Sequence, residues 1–319
     1  MTTQHLAESA TAGPHDSRRS SRPEQGIART RRTALLFCAP FGLFFLAMYV
    51  APIVYAIVSS LYAVKRTGLG LTPPARVFEP WTNFTQAFAD KAFLASLGRV
   101  ALFAVVQVPL MLLLALGLAL LIDSGSARGG AFFRLAAFMP YAVPGVSAAL
   151  IWSFMYSRES SPINRLLEPL TVQIPFFDDG VVLWSVANIV TWSWTGYNMI
   201  IIYASLQAIP REILEAARMD GASPLRIAWS IKVPAVKSSL ALTAIFSIIG
   251  SAQLYNEPAV LQPVSSGSVS STFTPIMSAQ AAVAAGNYPY AAAQSVILAA
   301  LVGVLSFAFL KLTRRGEVT

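Results

Sequence analysis

Residues 209–234 read Ile209-Pro-Arg-Glu-Ile-Leu-Glu-Ala-Ala-Arg-Met-Asp-Gly-Ala-Ser-Pro-Leu-Arg-Ile-Ala-Trp-Ser-Ile-Lys-Val-Pro234, a charged interruption between two long apolar stretches. Its local signals are dense. Pro210 suits the first helical position, and Glu212 falls in the first turn, where the helix dipole favours an anion. Arg211 and Glu215 are four apart, and Glu215 and Arg218 three apart, spacings that allow each pair to meet on one helix face. Gly221 stops this helix as a glycine past the C-cap does. Ser223 and Pro224 then serve as N-cap and first residue of a second helix, which Pro234 closes. The segment is therefore a short helix, a tight glycine turn and another helix. Ala216 and Ala217 keep the first helix slim enough for another protein to approach closely.

The flanks decide where this hairpin lives. Of 319 residues, 55% are hydrophobic and 12% charged, with a mean hydropathy of +0.59. Soluble domains carry about 25% charged residues. About 20 apolar residues cross a bilayer core as a helix, and helices satisfy their own backbone where lipid cannot. Six segments meet that length: 33–62, 94–122, 131–156, 181–208, 238–258 and 288–311. The expected fold is an all-α membrane protein with six transmembrane helices in one domain, 33–313, flanked by a disordered polar tail, 1–32, and a short one, 314–319. The first segment, Thr33 to Tyr62, is too long for a signal peptide, whose apolar region has about 7–15 residues. Pro40, Pro52, Pro109, Pro140 and Pro144 fall inside spans, where each removes a donor and tends to kink its helix.

Orientation follows from the cations. With those spans, 16 of the 23 Lys and Arg residues lie on the side of the termini and the hairpin, and six on the other, with Arg99 near an interface. The positive-inside rule places both termini and the 209–234 hairpin in the cytoplasm. The net charge of +8 thus orients the chain and does not imply a nucleic-acid partner. A helix-turn-helix reading of the hairpin fails because it is tethered between spans and too short for a third helix.

The hairpin resembles the EAA signature of ABC-importer permeases. Glu215-Ala216-Ala217, Gly221, Ile231 and Pro234 stand at the signature's spacing, and the chain departs from it at Val233, where leucine is usual. Phe133 to Pro144 with Ala149 to Trp152, Gly196 to Ile200 with Leu206 to Pro210, and Tyr255-Asn256-Glu257-Pro258 with Val260-Leu261 are similar to the carbohydrate-uptake branch of that family. After Leu261 the family usually continues Thr-Gly-Gly-Pro, whereas this chain has Gln262-Pro-Val-Ser-Ser. The resemblance spans roughly 33–313. It implies that the segment around Glu215, Ala216, Ala217, Asp220, Gly221, Ile231 and Pro234 is a coupling helix that docks on a nucleotide-binding subunit. The implied assembly contains two such ATPase subunits, which hold ATP and Mg, a second homologous permease, an extracytoplasmic solute-binding protein and the prokaryotic cytoplasmic membrane.

The residues leave little room for chemistry in this chain. There is no Gly-x4-Gly-Lys-Ser/Thr phosphate loop; Gly125 to Gly130 has glycines but no lysine. The single cysteine, Cys38, allows no intrachain disulfide; a serine nucleophile would need a histidine base, and His5 and His15 both lie in the polar tail, far from any plausible site. Asp178 and Asp179 read as a solvated turn. No catalytic group, metal site or bound cofactor is expected. Polar groups inside spans are costly and often functional. Asn188, Trp194, Tyr197 and Asn198 of the fourth span, and Tyr255, Asn256 and Glu257 of the fifth, are the candidate substrate path. Trp192 and Trp194 point about 200° apart on a helix, so one of them lines a cavity easily and not both. Lipid-interface anchoring of the aromatics and Asn pairing across helices are the blander roles. The expected function is a permease subunit of a binding-protein-dependent importer for a di- or oligosaccharide. A polyol, glycerol phosphate or other polar solute is the alternative; an ion-coupled secondary transporter, which usually shows internal repeats and more spans, is a further one.

Overall fold

The computed structural model describes residues 36–65, 75–124, 129–157, 159 and 161–315. The expected tail 1–32, residues 316–319, the run 125–128, Arg66 and Arg158 lie outside them. The chain divides into two units, Met1–Val54 and Tyr55–Thr319.

The first apolar segment forms helix α1, Leu36–Ser60. Within the first unit, Phe41, Phe45 and Tyr49 stack in a ladder at four-residue spacing, with centroids 6.2 and 5.7 Å apart. The turn Leu46–Val50 is a π turn, in which the Ala51 N–H donates to the Leu46 carbonyl. It sits immediately before Pro52. Proline has no N–H and its ring collides with the carbonyl four residues back, and a one-residue widening of the helix relieves both problems.

The larger unit is built around two long helices packed side by side, α3 (Lys91–Asp123) and α7 (Val182–Gln207). Between α1 and α3 stands an element the all-α reading did not contain. Strands β1 (Tyr62–Lys65) and β2 (Ala75–Phe78) pair antiparallel, Tyr62 opposite Phe78, followed by helix α2 (Thr82–Ala89). Asn83 ties this hairpin down by donating to the carbonyls of Ser60 and Tyr62, at 2.9 and 2.6 Å. Lys65 pairs with Glu79, whose carboxyl is held below its ordinary pKa by the hydrogen bonds from Lys65 and Thr82.

Helix α3 runs 33 residues, about 50 Å at 1.5 Å per residue, and continues past Pro109. Asp90 caps it. One carboxylate oxygen accepts from the Ala92 and Phe93 N–H groups, and the other accepts from the Tyr290 hydroxyl at 2.8 Å. A side chain that both caps a helix and joins it to another should matter measurably. Asp90→Ala is expected to cost about 1–2 kcal/mol, read as a lowered melting temperature of the purified protein in detergent.

The third apolar segment is not one helix. Helix α4 (Gly130–Phe138) runs into a 3-10 turn, Met139–Ala142, and helix α5 (Gly145–Met155) leaves at 95° to it. Pro144 forces this. The residue before a proline avoids the helical region, and Val143 is extended, with ψ 124°. A short helix α6 (Pro162–Leu167) leads back to α7. Beyond the 209–236 hairpin come α10 (Lys237–Ala252) and α11 (Asn256–Leu261), separated by a break at Gln253–Tyr255. Helices α12 (Pro275–Ala284) and α13 (Tyr288–Arg315) complete the fold. The labels α8 and α9 belong to the hairpin's helices, Arg211–Met219 and Pro224–Ile227.

Among the described residues four helices are long and apolar enough to cross a membrane: Leu36–Ser60, Lys91–Asp123, Lys237–Val264 and Tyr288–Lys311; the bent α4–α5 pair makes five if it is one span. Helix α7 has the length, at 26 residues, but its Asn, Ser, Thr and Tyr content lowers its hydropathy. Its burial is extensive instead. Val182, Val186, Ile189, Met199 and Ile202 are almost fully enclosed. One apolar core joins α7 to Phe103, Ala148, Tyr156, Leu254 and Phe273 at one end; a second joins it to Ala115, Ala119 and Val236 at the other.

Candidate functional site

The hairpin follows the sequence closely. In α8 the Ala222 N–H donates to the Ala217 carbonyl and the Gly221 N–H to the Arg218 carbonyl, both at 3.0 Å. This is the Schellman pattern, which needs a left-handed residue, and Gly221 has φ +80°. Ser223 caps α9 by accepting from the Arg226 N–H at 3.3 Å, with Pro224 in the first position. Two details differ from the sequence expectation. Pro210 is the N-cap of α8 and not its first residue. Pro234 does not end the return arm: α9 continues through a π turn, Ala228–Lys232, into Val233–Ala235, the same device that precedes Pro52. Among the described residues Arg211, Glu215 and Arg218 form no ion pair, because solvent competes for side chains on a helix with nothing packed over it.

No residue of α8 is buried. Glu215, Ala216, Asp220, Gly221 and Pro234 are exposed, while Ala217 and Ile231 are half-buried. The hairpin also presents apolar groups to solvent: Ile213, Met219, Leu225 and Trp229, with Met219 88% exposed. One charged group turns inward. Lys232, in the π turn, is buried and reaches the last residue of α3: its Nζ lies 2.5 Å from Asp123 Oδ2. Gln207, the last residue of α7, donates to Asp123 Oδ1 at 2.6 Å. Neither Asp123 nor Lys232 stood out in the sequence, because each sits at the edge of an apolar stretch where charge is ordinary.

The predicted path residues converge on a cavity of about 260 Å³ between α3, α7 and the α10–α11 break. Trp194, Tyr197, Asn198, Tyr255, Asn256 and Glu257 line it. Asn188 does not: it donates to the Tyr156 hydroxyl at 2.8 Å, away from the cavity. Trp192 likewise packs on Trp152, with centroids 5.8 Å apart, while Trp194 faces the cavity. The 95° bend has a consequence here. It lays Tyr141 against Tyr197, stacked at 4.7 Å, and edge-on to Trp194 at 5.2 Å. Asn198 is held by the Trp194 carbonyl at 3.0 Å. Gly145 faces Glu257: a Cβ there would stand 3.5 Å from Glu257 Oε1.

Four further polar groups line the cavity outside the predicted path: Gln107, Ser247, Ser251 and Gln253. The signal for Gln107 was available, a lone amide in the middle of a 33-residue apolar helix. Its Nε2 donates to Thr191 Oγ1 at 3.2 Å, and its buried Oε1 has no protein partner. The cavity therefore offers aromatic faces, amides and hydroxyls, with Glu257 as its one carboxyl group and no Lys or Arg among its lining residues.

Comparison with known proteins agrees with this architecture. Residues 111–316 match the family described as the binding-protein-dependent transport system inner membrane component. The diacetylchitobiose uptake system permease protein NgcF of Streptomyces coelicolor is 30% identical, over 98% of this chain and 92% of its own length. The lactose transport system permease protein LacF of Rhizobium radiobacter is 31% identical, over 85% of this chain and 91% of its own. A chain of the bacterial alginate ABC transporter, crystallised with its alginate pentasaccharide-bound periplasmic protein, superposes with a TM-score of 0.77 at 14% identity, covering 92% of this chain and 98% of that one. The chain belongs to the binding-protein-dependent transport permeases, within their carbohydrate-uptake branch, and is a multi-pass membrane transport component and not an enzyme.

Proposed function

We propose that this chain is one of two permease subunits of an ATP-driven importer that carries a neutral di- or oligosaccharide across the prokaryotic cytoplasmic membrane. The cavity is the observation that carries this reading. A sugar ring has apolar C–H faces and a rim of hydroxyls. Trp194, Tyr197 and Tyr255 offer surfaces for the faces, and Gln107, Asn198, Gln253 and Asn256 offer donors and acceptors for the rim. The names of the relatives, which concern diacetylchitobiose and lactose, support the same class. A glycerol phosphate would enter a cavity without Lys or Arg and beside Glu257, a poor setting for an anion.

In this reading α1, α3, the α4–α5 pair, α7, α10–α11 and α13 are the six spans, with both termini and the hairpin in the cytoplasm. Glu215, Ala216, Ala217, Asp220, Gly221, Ile231 and Pro234 form the coupling segment that seats in one of two ATPase subunits. ATP and Mg are held there. An extracytoplasmic binding protein delivers the sugar, and a second permease completes the route, since one 260 Å³ cavity on a six-span chain is at most half of a path. The complex of both permeases, the ATPase and the binding protein, reconstituted in vesicles, tests this. Wild type should take up a labelled neutral oligosaccharide only with ATP. Tyr197→Ala should lower the saturated uptake rate about tenfold at an unchanged amount of assembled complex. Uptake without ATP, or a rate unaltered by Tyr197→Ala, would refute the assignment.

A further inference from the structure

The hairpin's return arm is fastened to the rest of the protein by a polar joint, a largely buried Lys232–Asp123 pair with an exposed Gln207 beside it. Asp123 ends α3, Gln207 ends α7, and Lys232 lies in the π turn of the arm that leads into α10. The carboxylate takes Lys232 Nζ on one oxygen, at 2.5 Å, and Gln207 Nε2 on the other, at 2.6 Å. The side chains of Lys232 and Asp123 are 11% and 10% exposed, so water screens the pair little. The charges of α8 all face solvent, and Lys232 is the single cation of the hairpin turned inward. The π turn belongs to this arrangement: the extra residue in its ring shifts the phase of the side chains that follow. Around the joint, Val236, Leu206 and Ala119 seal an apolar layer, with Val233 and Ile209 against them.

From this geometry we infer that Asp123, Lys232 and Gln207 form the transmission joint of the permease: they lock the return arm to the ends of α3 and α7, so that displacement of α8 is delivered to both helices that wall the cavity. The cavity is lined from α3 by Phe103, Gln107 and Met111, and from α7 by Val190, Trp194, Tyr197 and Asn198. A push on the hairpin that reached α10 alone would move one wall. A push through Asp123 moves the other two with it. A salt bridge suits the task better than apolar packing, because its short, directed contact on a fixed carboxylate resists sliding. The inference rests on the importer reading above and adds positioning residues to it.

The test uses the full reconstituted complex and reads solute imported per ATP hydrolysed, together with the amount of assembled complex. Lys232→Met keeps the aliphatic stem and removes the charge; Asp123→Asn and Gln207→Leu weaken the joint from the other two sides. The expected result is a fall of at least fivefold in solute per ATP, with hydrolysis per complex within twofold of wild type. The exchange Asp123→Lys with Lys232→Asp should recover part of the lost ratio. If Lys232→Met fails to accumulate, Gln207→Leu, which leaves the Lys232–Asp123 ion pair in place and removes only the tie to α7, carries the test. A purely structural pair would lower the amount of complex and leave the ratio at its wild-type value, and that outcome overturns the inference alone. Uptake by the wild-type complex without hydrolysis overturns the importer reading and the joint with it.

Discussion

Replacing Gly196 by alanine is expected to leave almost no folded permease in the membrane. Gly196 is in the middle of α7, where α4 crosses it without a side chain between them. A Cβ at this position would lie 1.8 Å from the Ala137 carbonyl oxygen, 2.6 Å from its carbon and 2.9 Å from Phe138 Cα. Non-bonded carbons rest about 3.5–4.0 Å apart. All three neighbours are backbone, so no rotamer change gives relief and α4 must move as a body. Overpacking that side chains can absorb already costs about 1–3 kcal/mol, and here the displacement also strips the Arg134 to Tyr203 hydrogen bond, 3.0 Å, from the same interface. Marginal stability does not survive such a loss. The level of monodisperse protein extracted from membranes measures the effect. Gly250→Ala is the control, since nothing lies within 4 Å of a Cβ there and its level should match wild type. Normal accumulation of Gly196→Ala would mean that α4 and α7 do not touch as described.

Gly221→Leu should have the opposite profile: normal membrane levels and uptake reduced at least tenfold. No atom lies within 4 Å of a Cβ at Gly221, so the residue itself collides with nothing. Its φ of +80° is the difficulty. An L-residue with a bulky side chain pays about 1–2 kcal/mol there, enough to open the two hydrogen bonds that close α8 and to re-aim α9. The apolar cores lie elsewhere and keep the fold. Asparagine enters the left-handed region more readily, and Gly221→Asn should therefore retain a larger share of uptake. Transport assays beside immunoblots of the membrane fraction separate the two effects. Wild-type uptake by Gly221→Leu would remove the hairpin from the mechanism.

These two glycines show what the sequence makes legible. Gly221 was readable because its role is local: a glycine after a charged helix and before Ser-Pro has few other meanings, and the turn and the Ser223 cap stand where their residues place them, while Pro210 and Pro234 do not. Gly196 could be seen only as part of a family-like run, since its necessity comes from a helix about sixty positions earlier in the chain. The same division holds along the chain. Apolar runs gave the helices at 91–123, 182–207 and 288–315 to within a few residues, but the run 238–258 breaks after Ala252. They did not give the 95° turn at Pro144, because a proline in an apolar run reads as a kink of unstated size and the tertiary packing of Tyr141 sets the rest. Nor did they give β1 and β2, whose pairing depends on Asn83 reaching back to Ser60 and Tyr62. Polar residues in apolar segments pointed to Trp194, Tyr197, Asn198, Tyr255, Asn256 and Glu257, which line the cavity, and would have pointed to Gln107 too. Asn188 gave that signal for another reason, an amide spent on Tyr156. Sequence cannot separate an amide that faces a cavity from one that faces a tyrosine.

Helix α7 carries one last consequence, for how the protein is made. In the six-span reading proposed above α7 is the fourth span, and it carries amides and hydroxyls that reach its neighbours: Asn188 on Tyr156, Thr191 from Gln107, Ser205 against Ser239. Alone, such a segment partitions weakly into hydrocarbon. Helix α3 and the α4–α5 pair emerge from the ribosome first and can shelter it; Ser239 arrives later. In that reading membrane integration of this chain is cooperative between successive segments, with the central pillar of the bundle dependent on escorts for its own entry.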